Sequence, residues 1–80
     1  MLPDEIRTLI EAGLDCEAVR VSGDGRHFDA TVVSAAFEGK PTITRHRMVY
    51  ATLGDRFDTD ALHALSLKTY TPEQWRGLSS

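Results

Sequence analysis

The spacing of its strand-like segments is what most narrows the folds open to this chain. Val19 and Val21 alternate with Arg20 and Ser22, and Phe28, Ala30 and Val32 alternate with Asp29, Thr31 and Val33. Period two is the signature of strands with one buried face. Only the turn-like run Gly23-Asp24-Gly25-Arg26 separates these segments, which predicts a β-hairpin. A third alternating segment, Leu62 to Tyr70, follows only after the long stretch from Ser34 to Ala61. A connection of that length, carrying a helix, suits a right-handed crossover between parallel strands. The expectation is a mixed three-stranded sheet whose second and third strands start at the same end. His27 opens strand two and His63 opens strand three, so this topology brings two of the three histidines to one edge of the molecule.

The helices are signalled by their starts. Pro3 followed by Asp4 and Glu5 suits a first helical turn, where the missing proline N–H costs nothing and acids meet the positive dipole end. Leu2, Ile6, Leu9, Ile10 and Gly13 then share a face, and Gly13 can end the helix. After a loop from Ala35 to Pro41, a helix is expected with Thr42 or Thr44 as its N-cap. Its apolar stripe is His46, Val49, Tyr50 and Leu53. Continuation to Phe57 would enclose Gly54 at a cost of about 1 kcal/mol against alanine. In the third strand Leu65 and Leu67 face one way, Ala64, Ser66 and Lys68 the other. Thr71-Pro72-Glu73-Gln74 is a capping box opening a short helix that carries Trp75. The expected fold is α+β, in the order α-β-β-α-β-α, as a single domain over residues 1–80 without repeats or linkers.

Composition bounds the functions. A chain of 80 residues buries only about 60% of its extended surface, so each element must help to build the core. With 41% hydrophobic and 26% charged residues it belongs with ordinary globular chains. Cys16 is the one cysteine, so no internal disulfide forms and a reducing compartment fits better than an oxidising one. Acids stand near the N-terminus where a targeting peptide carries bases, and no apolar run approaches membrane-spanning length. A cytoplasmic, full-length protein without membrane contact is expected. The net charge is −3, unevenly spread: residues 1–30 are acidic, whereas residues 31–53 set Lys40, Arg45 and Arg47 against Glu38 alone. That basic spot is open to a solvated helix flank, a patch for an acidic protein, or a contact for phosphates.

No catalytic arrangement is present: the sequence contains no C-x-x-C, H-E-x-x-H, P-loop or G-x-S-x-G. A non-enzymatic binding module is the expectation, with no small-molecule substrate. Cys16 reads as a small, partly buried thiol ahead of strand one. His46, on the apolar stripe of the central helix, is expected to pack and hydrogen-bond in the interior. His27, beside the hairpin turn and on the face opposite Phe28, is expected to reach solvent. His63 shares parity with Leu65 and Leu67 but stands at a strand end, so packing and presentation both remain open to it. A closed zinc site takes four protein ligands, and an iron–sulfur cluster usually takes four thiolates. One or two exposed imidazoles can only complete a site whose other ligands come from a partner.

Several motifs together resemble a known family. Phe37-Glu38-Gly39, Arg45-His46-Arg47 followed by Val49-Tyr50, His63-Ala64-Leu65, and Thr71-Pro72-Glu73 with Trp75 resemble the BolA family in order and spacing, over nearly the whole chain. The likeness is to its short bacterial members. It implies a class II KH-like fold, an α-β-β-α-β core with a mixed three-stranded sheet. It also implies a heterodimer with a monothiol glutaredoxin and a shared [2Fe–2S] cluster, the glutaredoxin cysteine and glutathione supplying thiolates. The family's C-terminal-strand histidine is a cluster ligand and falls on His63. A second candidate ligand, in the hairpin loop, falls on His27. Members are also described as DNA-binding transcriptional regulators acting in stress responses. Lys40, Arg45 and Arg47 would carry that alternative, although the G-x-x-G loop of KH-type recognition is missing from this chain.

Overall fold

A computed structural model describes residues 2–24, 26–54 and 65–79. Helix α1 spans Pro3–Gly13, strands β1 and β2 span Ala18–Gly23 and Phe28–Val33, and a 3-10 turn spans Ala35–Phe37. Helix α2 covers Thr42–Leu53, strand β3 covers Leu65–Tyr70, and helix α3 covers Pro72–Ser79. The sheet order is β1-β2-β3. β1 runs antiparallel to β2, with Gly23 beside Phe28 and Ala18 beside Val33. β2 runs parallel to β3, with Phe28 beside Leu65 and Val33 beside Tyr70. The mixed sheet and, among the described residues, the α-β-β-α-β-α order agree with the sequence. Leu62, His63 and Ala64, the expected opening of strand three, lie outside the described residues.

Alternation along the central strand decides which face is covered. Phe28, Ala30 and Val32 are buried together with Ile6 and Ile10 of α1, Val49 and Leu53 of α2, Phe37 and Leu65. Val19 and Val21 of β1 pack against the same cluster. Val33 is buried but stands outside it, since its parity turns it to the opposite face. There Trp75 of α3 packs on Tyr70, ring centroids 5.6 Å apart, and the Arg20 guanidinium lies 5.1 Å over the Trp75 ring. The two-sided burial of β2 explains why its sequence is the most apolar of the three strands.

The helix boundaries follow their caps. In α1 the Glu5 carboxylate accepts the Leu2 main-chain N–H at 3.2 Å. Leu2 itself is 65% exposed, so the apolar face of this helix begins at Ile6. The capping box of α3 is formed as expected: Thr71 N–H donates to Gln74 Oε1 at 2.9 Å and Gln74 N–H to Thr71 Oγ1 at 3.2 Å. For α2 the expectation was wrong. Its N-cap is Pro41, which offers no side-chain acceptor, and Thr42 is the first helical residue. At its other end Gly54, at φ +56°, caps α2 after Leu53. Gly54 is therefore outside the helix and imposes no interior cost, and the continuation to Phe57 falls beyond the described residues.

Two features of the connection leave no mark in the alternation of the sequence. Phe37, placed in a loop by sequence, is fully buried by the 3-10 turn and belongs to the core. Ser34 is also fully buried. Its hydroxyl donates to the Asp15 carbonyl at 2.6 Å and accepts the Ala36 N–H at 3.1 Å, while its own N–H donates to the Tyr70 carbonyl at 3.0 Å. One serine thus ties the lead-in to β1, the exit of β2 and the end of β3.

Helix α1 approaches Thr52 of α2 closely at Gly13. A Cβ there would lie 2.9 Å from both Cβ and Cγ2 of Thr52. Alanine favours a helix over glycine by about 0.5–1 kcal/mol, but overpacking here opposes that gain. Gly13→Ala is expected to destabilise the fold by about 1–2 kcal/mol net. The check is urea unfolding, with a lower midpoint at unchanged m; a raised midpoint would show that α1 and α2 part without cost.

Candidate functional site

The parallel pairing of β2 with β3 creates one end of the sheet at which both strands begin. His27 immediately precedes β2 at this end and is exposed, as its sequence position suggested. β3 is entered two residues after His63, and its first residue, Leu65, lies beside Phe28. The expected placement of His63 itself falls outside the described residues.

The turn ahead of His27 is built by Asp24. One carboxylate oxygen of Asp24 accepts the main-chain N–H groups of Arg26 and His27, both at 2.9 Å. The Asp24 N–H donates in return to the His27 carbonyl at 3.2 Å. This is an Asx-type turn, in which a short side chain replaces a main-chain acceptor. Bonds from His27 and Arg26 to the ionised carboxylate hold Asp24 below the usual carboxylate range. The folded pKa is lowered, so the contribution is complete above the unfolded value and is lost as pH falls through the folded one. Gly23 completes the turn: a Cβ there would stand 2.4 Å from the His27 carbonyl oxygen and 2.6 Å from Cδ1 of Phe28. Only glycine leaves room for that approach.

Among the described residues, Cys16 and His46 do not join His27 in a ligand cluster. Cys16 precedes β1, whereas His27 follows the turn at the opposite end of that strand, roughly 20 Å away at about 3.3 Å per residue. Burial, with Asp15 and Glu11 adding repulsion, pushes the Cys16 thiol up, which disfavours the thiolate that binds metals or attacks electrophiles. His46 is half-buried rather than interior, and its ring makes no hydrogen bond among the described residues, unlike the satisfied core histidine expected. Among the described residues no three His, Cys, Asp or Glu side chains gather as metal ligands. Among the described residues, His27 is thus a single exposed donor at this end of the sheet.

The three bases of the central segment do not form one patch. Arg45 is half-buried, and its Nε donates to the Lys40 carbonyl at 2.8 Å. Its Nη1 donates to Gln74 Oε1 at 3.0 Å and, more weakly, to the Thr69 carbonyl at 3.5 Å. The guanidinium also lies 5.8 Å over the Phe37 ring. Arg45 thus joins α2 to the end of β3, to the cap of α3 and to the 3-10 turn. Three of a guanidinium's five N–H donors are committed there. Lys40 and Arg47 are exposed. Residues two apart on a helix do not share a face, so Arg47 points away from Arg45.

A mixed-sheet α+β domain, with three helices among the described residues and a hairpin-borne histidine where its two parallel strands begin, is a defined class, and the relatives of this chain give it a family. The model describing BolA-like proteins matches residues 11–74. The acid stress protein IbaG of Escherichia coli K12 is 35% identical over 72 residues, 90% of this chain and 86% of that protein. The DNA-binding transcriptional regulator BolA of the same strain is 44% identical over 57 residues, 71% of this chain and 53% of that protein. The solved structure of a bolA protein homologue from Coxiella burnetii superposes with a TM-score of 0.82 at 45% identity, over 95% of this chain and 97% of that one. This chain belongs to the BolA family.

If Arg45 is a structural tether and Arg47 a surface base, their substitutions separate cleanly. Arg45→Lys is expected to cost about 1–2 kcal/mol, because an ammonium cannot hold three divergent acceptors at once. Arg47→Ala is expected to stay within about 0.5 kcal/mol. Equal urea midpoints for both variants would contradict the tether.

Proposed function

We propose that this protein is a non-enzymatic cytoplasmic adaptor that pairs with a monothiol glutaredoxin and helps to ligate a [2Fe–2S] cluster shared between them, acting in iron–sulfur homeostasis and stress response. The observation that carries this reading is the exposed His27, fixed by its turn at the end of the sheet where β2 and β3 begin. His63 precedes that same start of β3 in sequence. A lone imidazole cannot hold a cluster, so the reading requires thiolates from outside this chain, and a glutaredoxin cysteine and glutathione supply that chemistry. The bound cluster would provide the electron- or iron–sulfur-transfer chemistry. The part of this chain is to offer imidazole nitrogens from a rigid edge. The name of the acid stress relative supports the stress-response part of the reading.

Anaerobic reconstitution with a monothiol glutaredoxin, glutathione, iron and sulfide tests it by visible circular dichroism. The heterodimer is expected to show a spectrum that the glutaredoxin alone does not. His63→Ala should alter that spectrum and shorten the lifetime of the cluster, and His27→Ala should do so to a smaller extent. An unchanged spectrum and lifetime in His63→Ala would remove it from the ligand set.

A second reading is DNA binding, favoured by the 44% identity to a relative named as a DNA-binding regulator. With Arg45 largely committed to main-chain and amide oxygens, Lys40 and Arg47 are the bases left to meet phosphates. Duplex binding would then weaken as salt rises, and a Lys40→Ala, Arg47→Ala double variant would flatten the salt slope by about two. Retention of the full slope in that variant would exclude these bases as the contact.

A further inference from the structure

We propose that Asp24 is a positioning residue for His27: its carboxylate locks the hairpin turn in the shape that presents the imidazole at the start of β2 and β3. The inference rests on the reading of His27 as a ligand and names what makes it an effective one. His27 is held by its backbone on both sides. Its N–H is bound by Asp24 Oδ1 at 2.9 Å and its carbonyl by the Asp24 N–H at 3.2 Å. The same carboxylate oxygen takes the Arg26 N–H at 2.9 Å, so the residue before His27 is fixed as well. Gly23 closes the other wall, since a Cβ there would fall 2.4 Å from the His27 carbonyl oxygen.

The imidazole itself is exposed, and among the described residues its ring makes no hydrogen bond. The turn therefore fixes where the side chain leaves the backbone, and only the side chain's own torsions remain free. Asp24 is exposed too, so its side chain adds little packing to the core; its hydrogen bonds are directed at this turn. A ligand carried on a loose loop must be ordered when it binds, and that entropy is subtracted from affinity. Two short bonds to one carboxylate oxygen remove much of that cost beforehand.

Asparagine keeps the Oδ1 acceptor and the turn but loses the charge, whereas alanine loses both. The test compares wild type, Asp24→Ala, Asp24→Asn, His27→Ala and the Asp24→Ala, His27→Ala double variant. Two quantities are measured: amide hydrogen exchange of Arg26 and His27 in the protein alone, and cluster lifetime in the reconstituted glutaredoxin complex. Asp24→Ala is expected to speed exchange at both amides roughly tenfold, the scale of one or two lost hydrogen bonds, and to shorten the lifetime as much as His27→Ala does. Asp24→Asn should restore both, and Asp24→Ala should add nothing in the His27→Ala background. Failure of asparagine to rescue would overturn the proposal, because the carboxylate would then act by its charge or as a ligand. An additive effect in the double variant, or unchanged exchange in Asp24→Ala, would overturn it also. If His27→Ala shortens the lifetime and Asp24→Ala does not, only the positioning role falls. If His27→Ala changes nothing, the ligand reading falls and takes the positioning role with it.

Discussion

The parallel pairing of β2 with β3 is the constraint on which the rest of the molecule depends. A hairpin can close on its own, but a parallel partner has to return across the sheet, and the chain spends α2 on that return. The crossing is productive because α2 brings Val49 and Leu53 over Phe28, Ala30 and Val32, where Ile6 and Ile10 of α1 complete the layer. At the exit of the two strands the pairing is reinforced by polar bonds. Ser34 reaches Asp15, Ala36 and Tyr70 from a fully buried position, and Arg45 reaches Thr69 and Gln74 from α2. A buried hydroxyl left without partners would cost about 1–3 kcal/mol, so Ser34 is also a specificity device: shifted registers orphan it.

This division gives the two ends of the sheet different tasks. The end where β2 and β3 exit is closed by Ser34, by the capping box of α3 and by the Arg45 tether. At the end where they begin, Asp24 binds the main chain of Arg26 and His27, and His27 stands exposed. Rigidity there comes from the turn and not from core packing, because Asp24, Arg26 and His27 are all exposed.

What the sequence disclosed, and what it withheld, follow from the range of the interactions concerned. Period-two alternation is local, and it located β1, β2 and the described part of β3. The α3 capping box is contained in Thr71 to Gln74, and it formed as written. The start of α2 was misplaced because Thr42 and Thr44 are good caps by residue type, whereas the helix begins one residue after Pro41. Phe37 and Ser34 owe their burial to partners from other elements, so no local pattern marks them. For Arg45 the charge was legible, but its three acceptors come from Lys40, Thr69 and Gln74, two of them more than twenty residues away. The role of Asp24 was the nearest miss, since Asp after Gly in a hairpin turn is itself an Asx-turn signal. Of the two candidate histidines, His27 was legible as an exposed turn residue, while parity alone left His63 open.

Arg45 also shows why local basicity is a poor guide to nucleic-acid contact in a molecule of this size. With so little interior, a long cationic side chain is often more useful for satisfying carbonyls at element ends than for meeting phosphates, because its planar fork can serve several acceptors at once. Lys40 contributes its carbonyl to that arrangement and leaves its ammonium in solvent, and Arg47 stands on another side of α2. The apparent basic cluster of residues 40–47 is therefore one structural cation and two dispersed surface charges on a chain of net charge −3. The hairpin end instead carries one exposed histidine, His27, on a turn held by the Asp24 carboxylate.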